Sequence, residues 1–251
     1  MENPKSILIT GASSGIGEAL ALHYAASGVT LHLCGRDRAR LEGVASRSAA
    51  RGATVSAEVV DVADRDAVRV WVEHCDGLAP LDLVFANAGV GIGQSEGAME
   101  EIAAQTFAIN VSGVFHTAHP AADLMRGRRR GQIAIVSSVA GYQGLASAPA
   151  YSASKAAVKA YGEALRGYLE PEGVRISVIC PGFVVSRITA QNTFSMPFLM
   201  PADRAARIIA RGLARNRGRI TFPWQMVIAA RVLANLPMWA LDWTARRAPR
   251  K

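Results

Sequence analysis

Ser6-Ile-Leu-Ile-Thr10-Gly-Ala-Ser-Ser-Gly15-Ile-Gly17 is the stretch on which the fold turns. Ser6 to Thr10 is a short apolar run of strand type, and Ala19 to Ala26 is an apolar-periodic run of helix type. Between them lies a glycine turn. Glycines let the chain turn sharply and let its backbone approach a ligand closely, and the free N–H groups and dipole at a helix start attract a pyrophosphate. The spacing is G-x3-G-x-G rather than the commoner G-x-G-x-x-G. The turn Gly11-Ala-Ser13-Ser14-Gly15-Ile16-Gly17 is therefore expected to approach a pyrophosphate.

The next unit repeats the pattern. Val29 to Cys34 reads as a strand, followed by Gly35-Arg36-Asp37-Arg38 and a helical run from Ala39. In a doubly wound sheet the end of the second strand lies beside the adenosine ribose. A carboxylate there would bond the 2′-hydroxyl, but Gly35 holds that place and Arg36 follows it. Arginine suits bidentate contact with a 2′-phosphate, so NADP(H) is favoured over NAD(H), with Arg38 as an assistant. The plainer reading is that both arginines flank a solvated helix start.

Further along, Thr54 to Val60 is a strand that ends at Asp61-Val62, placed to flank the adenine, and a helix follows from Arg65 to Cys75. Leu81 to Ala86 is a strand that ends in Asn87-Ala88-Gly89, small residues that leave room for a ligand, with Asn87 able to tie strand ends together. One long helix is expected from Met99 to Met125, with Asn110 in its middle and His116 and His119 three apart. No carboxylate or cysteine joins the two histidines, so no metal site is assigned. Gln132 to Val136 is a strand ending at Ser137-Ser138, and the loop Ala140 to Ala148 offers Tyr142 and Leu145 to a substrate. A helix from Tyr151 to about Leu169 precedes the strand Arg175 to Cys180, which closes with Pro181-Gly182. Alternating strands and helices with short connections imply one α/β domain over residues 1–251, a doubly wound parallel sheet of about seven strands with helices on both faces. Ligands bind beyond the carboxyl ends of such strands, where all these motifs fall.

Composition agrees with a globular α/β chain: 251 residues, half of them apolar, suit a single domain. Cys34, Cys75 and Cys180 are odd in number and far apart, and read as buried thiols of a reducing compartment. The start Met-Glu-Asn-Pro-Lys shows no signal-peptide region, so the expected location is cytoplasmic. The net charge of +8 would suit nucleic acid, yet the arginines are scattered apart from Arg126–Arg130 and Arg246–Lys251. A solvated basic surface is the preferred account.

Tyr151-Ser-Ala-Ser-Lys155 places a phenol and an ammonium at i and i+4 on one helix face. A phenol keeps its proton until about pH 10, and a nearby cation favours the phenolate by about 1.4 kcal/mol per unit. Together with Thr10-Gly-Ala-Ser-Ser-Gly-Ile-Gly17, Asp61-Val62, Asn87-Ala-Gly89, Asn110, Ser138 and Pro181-Gly182, this pair closely resembles the short-chain dehydrogenase/reductase family over about residues 5 to 190. The resemblance implies a Rossmann-like domain that both holds the nicotinamide cofactor and performs catalysis, usually as a homodimer or homotetramer. By that similarity Tyr151 passes a proton to or from the oxygen of a small carbonyl or alcohol substrate, and Ser138 polarises that oxygen. Lys155 would bind the nicotinamide ribose and favour the phenolate, Asn110 would hold a relay water, and Val184 and Ser186 in the turn after Pro181-Gly182 would fix the carboxamide. Two positions depart from the family pattern: Ala86 stands where Asn is frequent, and Ser186 where Thr is common. Neither removes a catalytic group, so a non-catalytic NADP-binding regulator is the weaker alternative. An epimerase of the related longer family would need a larger C-terminal domain.

The remainder is the most individual part. Phe194, Met196, Phe198, Leu199 and Met200 form an apolar group where this family covers its substrate, which points to an apolar or lipid-like substrate or to ordinary lid packing. Ala202 to Arg215 reads as an amphipathic helix and Arg219 to Phe222 as a last strand. Pro223 to Leu241 is almost wholly apolar, with tryptophans and a basic terminus, but Arg231, Asn235 and Pro237 argue against a membrane span. Helices that cap the pocket or pack on another subunit are preferred to a peripheral membrane contact through residues 223–251.

Overall fold

The protein is described by a computed structural model covering residues 2–92, 97–190, 192 and 194–245, with side chains to 241. Seven strands form one sheet: β1 (Ser6–Thr10), β2 (Thr30–Cys34), β3 (Thr54–Glu58), β4 (Leu83–Ala86), β5 (Gly131–Val136), β6 (Val174–Pro181) and β7 (Arg219–Phe222). Their order is β3-β2-β1-β4-β5-β6-β7, and every pair is parallel. The doubly wound sheet expected from the sequence is present.

The helices are α1 (Gly15–Tyr24), α2 (Arg38–Ala49), α3 (Arg65–Leu78), α4 (Met99–Phe107), α5 (Gly113–Gly127), α6 (Pro149–Leu169), α7 (Arg187–Ala190), α8 (Ala202–Ala214), α9 (Trp224–Ala234) and α10 (Met238–Ala245). Strand alternation builds two cores. Ile7 and Ile9 of β1 join Leu20, Leu41 and Ile209 on one face, while Leu8 joins Val68, Trp71 and Val158 on the other. Both faces of the central strands are buried, which accounts for their unbroken apolar runs. Local chemistry fixes the helix starts. The Asp37 carboxylate accepts the Arg40 N–H at 3.0 Å to cap α2, Asp64 accepts those of Asp66 and Ala67 to cap α3, and Pro149 opens α6.

Several elements differ from the sequence reading: β4 begins at Leu83 rather than Leu81, and α3 runs to Leu78 rather than Cys75. β3 ends at Glu58 rather than Val60. The single helix expected over 99–125 is two helices joined by a wide turn of π type at Ala108–Ser112. Its cause is Asn110, which is fully buried and bonds neighbours outside the helix.

The basic run at 126–130 is structural. Arg126 pairs with Glu172, Arg128 holds Asp76 through two contacts at 2.7 and 2.9 Å, and Arg130 reaches Asp82 at 3.1 Å. His116 bonds the Val62 carbonyl and His119 the Tyr161 hydroxyl, and no metal-binding cluster occurs among the described residues. The three cysteines are buried free thiols, as expected; burial pushes Cys75 up to about 12 and Cys180 up to about 11.

Candidate active site

β1 and β4 are neighbours whose connections leave in opposite directions, so a crevice opens above their carboxyl ends. It is a cleft of about 760 Å³ that runs from the glycine turn to Tyr151. Thr10 sets its floor: its hydroxyl donates to the Phe85 carbonyl at 3.1 Å and accepts the N–H groups of Asn87 and Ala88. The Asn87 amide donates to the carbonyls of Thr10 and Gly11 at 2.8 and 3.2 Å. The strand ends are thereby tied together, as the sequence reading of Asn87 required.

At one end the glycine turn meets the helix start. Gly11 and Gly15 have φ of +67° and +58°, which disfavours other residues, and a Cβ on Gly11 would lie 2.8 Å from the Ala88 Cα. Ser14 begins α1 without a side-chain cap, so the helix N–H groups there face the cleft beside Ser13, Gly15 and Ile16. Gly17 differs from its expected role. It is buried outside the cleft lining, and its lack of a side chain matters for packing, since a Cβ would sit 2.3 Å from the Gly11 carbonyl oxygen.

Past β2, Gly35 and Arg36 border the cleft, with Asp61 and Val62 on its far side. A side chain at position 35 would press on Ser13, whose Oγ lies 3.1 Å from the Cβ position. Arg38 does not border the cleft; it is exposed and lies 3.7 Å from Glu42 one turn along α2. Arg40 takes its place. Its guanidinium pairs with Asp37 at 2.9 Å while its Nε is buried without a partner at the cleft. The helical phase of α2 decides between the two arginines, and two residues are more than half a turn.

At the other end three side chains of the expected set converge. Ser138 follows β5, is 8% exposed, and caps the turn Val139–Gly141 through the Ala140 N–H. That turn lies flat on α6, because Gly141 brings no Cβ into the Lys155 backbone 2.7 Å away, and Ser137 bonds the Lys155 carbonyl. Burial raises the Tyr151 phenol above its ordinary value, and a hydrogen bond with Ser138 pulls it back. Lys155 is 4% exposed and its Nζ lies 5.8 Å from the Tyr151 ring centre, donating to the Val136 carbonyl at 3.1 Å. Burial lowers it to about 8, partly offset by the Cys180 thiol. Within the protein alone, burial outweighs the attraction of ammonium for phenolate that the sequence spacing suggested.

Asn110 stands behind this group rather than in the cleft lining. Its Oδ1 accepts the Val90 N–H at 2.8 Å, and its Nδ2 donates to the Val90 carbonyl and to Ser154 Oγ. Ser154 in turn donates to the Tyr151 carbonyl at 2.7 Å. The amide thus locks the segment following β4 to the helix that carries Tyr151. Gly89 lies between, with its Cβ position 3.2 Å from Asn110 Oδ1 and 3.3 Å from Lys155 Nζ.

The turn after β6 closes the cleft from above. Pro181, Gly182, Val184 and Ser186 all border it, and Ser186 lies 2.9 Å from the Cβ position of Gly15. Beside Tyr151, Gly91 approaches Ile188 of α7, with 2.9 Å between its Cβ position and the Ile188 side chain. Val90, Ile92 and Ile188 make this end apolar.

Several expected contributors lie elsewhere. None of residues 194–200 borders the cleft: Met200 is buried in the α8 core and pairs with Val184, and Phe194 stacks edge-on against Phe183. Tyr142 turns toward Lys159 and Arg219, and Leu145 is exposed outside the cleft. No described residue from Pro223 onward borders it. Ser154 and Arg40 were not singled out by the sequence, and Thr10 was named only as the first residue of the glycine-turn motif. Ser154 sits inside the Tyr151–Lys155 motif, but its part depends on a partner 44 residues away.

The short chain dehydrogenase family profile matches residues 5–195. An oxidoreductase of Myxococcus xanthus, itself named as uncharacterized, is 40% identical over 245 residues, covering 97% of both chains. A Sphingobium yanoikuyae short-chain dehydrogenase in complex with NADPH has a TM-score of 0.79 at 25% identity, covering 93% of this chain and 96% of its own. A Burkholderia phymatum short chain dehydrogenase/reductase in complex with NAD has a TM-score of 0.82 at 26% identity, covering 98% and 97%. The chain belongs to the short-chain dehydrogenase/reductase family and is an enzyme of that family.

Proposed function

We propose that this enzyme is an NADP(H)-preferring carbonyl reductase or alcohol dehydrogenase that acts on a small apolar or lipid-like substrate. The observation that carries this reading is the junction of two halves in one cleft. The glycine turn and arginines occupy one end, and Ser138, Tyr151 and Lys155 the other. Positive φ at Gly11 and Gly15 and the uncapped start of α1 fit a pyrophosphate, and Arg36 with the unpartnered Nε of Arg40 fits a 2′-phosphate. Both kinds of nicotinamide dinucleotide occur in the related structures, and the arginines favour NADP(H).

When bound, the nicotinamide supplies or accepts the hydride. Ser138 holds and polarises the substrate oxygen, and Tyr151 gives it a proton in reduction or takes one in oxidation. Lys155 holds the ribose hydroxyls and, as a cation, offsets the rise that burial imposes on the phenol. Asn110 keeps the widened turn in place, where a relay water is held toward Lys155. Asp61, Val62, Asn87, Ala88 and Gly89 flank the adenosine and ribose, and Val184 and Ser186 hold the carboxamide. Val90, Ile92 and Ile188 favour an apolar substrate.

The protein works in a reducing, cytoplasmic setting, a reading supported by its three unpaired thiols. No described helix is long and apolar enough to cross a membrane. Assembly as a homodimer or homotetramer would use the outer faces of α5 and α6, where Phe115, His119 and Tyr161 cluster and Tyr168 is 68% exposed.

Tyr151→Phe tests the mechanism. Loss of the acid should lower kcat by about 10³-fold or more while NADPH affinity stays within about two-fold. Appreciable turnover in that variant refutes the role of Tyr151. Tight NADPH binding by the parent, without NADPH-dependent reduction of any member of a panel of ketones, 3-oxoacyl thioesters, steroids and sugars, would favour a regulator.

A further inference from the structure

A second hollow adjoins the cleft, and the reaction does not use it. Gly15 and Ser186 form the partition between the two, with 2.9 Å from the Gly15 Cβ position to the Ser186 Cβ. Beyond them lies a groove of about 780 Å³ that runs along α1 and is bounded by α2, by α8 and by the turn that leads into α7. Glu18, Ala19, Leu22 and His23 line it from α1, at the spacing of one helix face.

Four arginines from separate segments border this groove: Arg40 near the start of α2, Arg51 beyond its end, Arg187 at the start of α7 and Arg207 in α8. Its acids are Glu18 and Asp203, and both are already held, by Arg47 at 2.7 Å and by Arg207 at 2.7 Å. Arg51 donates to the Leu22 carbonyl at 2.6 Å, a neutral partner that leaves its charge uncompensated. The Arg187 side chain has no partner among the described residues. The flanking helices repeat the bias, since α2 and α8 each carry three arginines against one acid. On a convex surface such cations are solvated one by one. Around a concavity their fields add and draw in anions.

From this convergence we infer that the groove is a second ligand site, for a phosphorylated small molecule other than the dinucleotide. Guanidinium groups match phosphate oxygens in charge and in hydrogen-bond geometry. Ala19, Leu22 and Val185 give an organic part an apolar floor, and the volume falls within the roughly 300–1,000 Å³ of small-molecule sites. Arg51, Arg207, Leu22 and His23 do not border the cofactor cleft, so the groove is more than an extension of it. The site is read by binding alone and does not depend on the proposed reaction.

Inorganic tripolyphosphate and uridine triphosphate, both free of metal, are titrated calorimetrically into the full-length protein with NADPH kept saturating. One molecule of either should bind per chain, uridine triphosphate more tightly by its contact with the apolar floor. Arg51→Gln and Arg207→Gln keep a donor for Leu22 and Asp203, and each should weaken binding about ten-fold. Arg175→Gln, exposed at the amino end of β6, should change it less than two-fold. Circular dichroism checks the fold of each variant. No binding in the presence of NADPH overturns the inference, as does binding of several molecules per chain or equal weakening by all three variants. Equal affinity for the two probes refutes the apolar floor. If NADPH itself fails to bind, the cofactor reading falls, and the same three variants titrated without it still decide the groove.

Discussion

Lys155 shows how one side chain can oppose stability and serve chemistry. Its Nζ is buried and its pKa stands at about 8, below the ordinary 10.5. Below pH 8 both the folded and unfolded chains hold the proton, so the penalty for burying the charge is fully present. Between about 8 and 10.5 the fold releases the proton first, and stability rises with pH. Lys155→Met should therefore raise the melting temperature of the cofactor-free protein at pH 7. The penalty removed is roughly 3 kcal/mol, less about 1 kcal/mol for the hydrogen bond lost by Val136. The same variant should lose turnover. A lower melting temperature at pH 7 would show that protein partners already compensate the charge. At the opposite end of the cleft, Arg36→Ala and Arg40→Ala should each lower kcat/KM for NADPH by about 10-fold or more and leave NADH nearly unchanged, while Arg38→Ala alters neither. Equal losses with both cofactors would remove the 2′-phosphate from the account. Tyr151, Ser138 and Lys155 were legible because a fixed spacing on one helix and one strand end identifies them. Arg40 was not, since its approach to the cleft depends on where Asp37 caps α2.

At the scale of elements, the strands were legible because both faces of the central strands are buried and their runs are uninterrupted. The interrupted helix was not. Periodicity continues across residues 99–125, and only the partners of Asn110, at Val90 and Ser154, open the turn. The choice between substrate contact and lid packing for Phe194–Met200 was open for a similar reason: composition identifies Met200 as apolar, but pairing with Val184 sends it into the α8 core. β2 carries a further consequence of burial. His32 is fully buried between Ser6 of β1 and Ser56 of β3, at 3.5 and 3.4 Å, and its pKa is lowered to about 4 by burial, with His74 adding and Asp76 opposing. The folded imidazole is neutral. From pH 6.5 down to about 4 the unfolded chain takes a proton that the fold refuses, so this site removes up to roughly 3 kcal/mol of stability over that window. His32→Gln keeps a polar side chain beside both serines and should flatten the loss. Urea midpoints at pH 7 and pH 4.5 measure it, and an equal decline in parent and variant would assign acid sensitivity to other groups.

For the whole molecule, the resemblance ends near residue 190, and the structure explains why the remainder is harder to read. Residues 5–195 supply six of the seven strands, whose ends must meet one ligand, so their sequence is constrained by a common chemistry. The helices after β7 pack by a few contacts on an edge strand, and composition alone left cap, interface and membrane open. The cleft itself joins segments from nearly the full sheet: the glycine turn after β1, the end of β2, Asn87 after β4, Ser138 after β5 and Ser186 after β6. A ligand bridging them opposes their separation, so binding to the native state alone adds RT ln(1 + [L]/Kd) to stability. At 100 times Kd that is about 2.7 kcal/mol, and for a chain of this size it raises the melting temperature by about 5–10 °C. With NADPH and NADH at equal concentration, NADPH should give the larger rise, and Arg40→Ala should reduce that excess without abolishing the shift from NADH. A larger rise with NADH would reverse the cofactor preference. No rise with either would separate the cleft from nicotinamide dinucleotides altogether, because a ligand that spans five strand ends cannot bind tightly without holding them together.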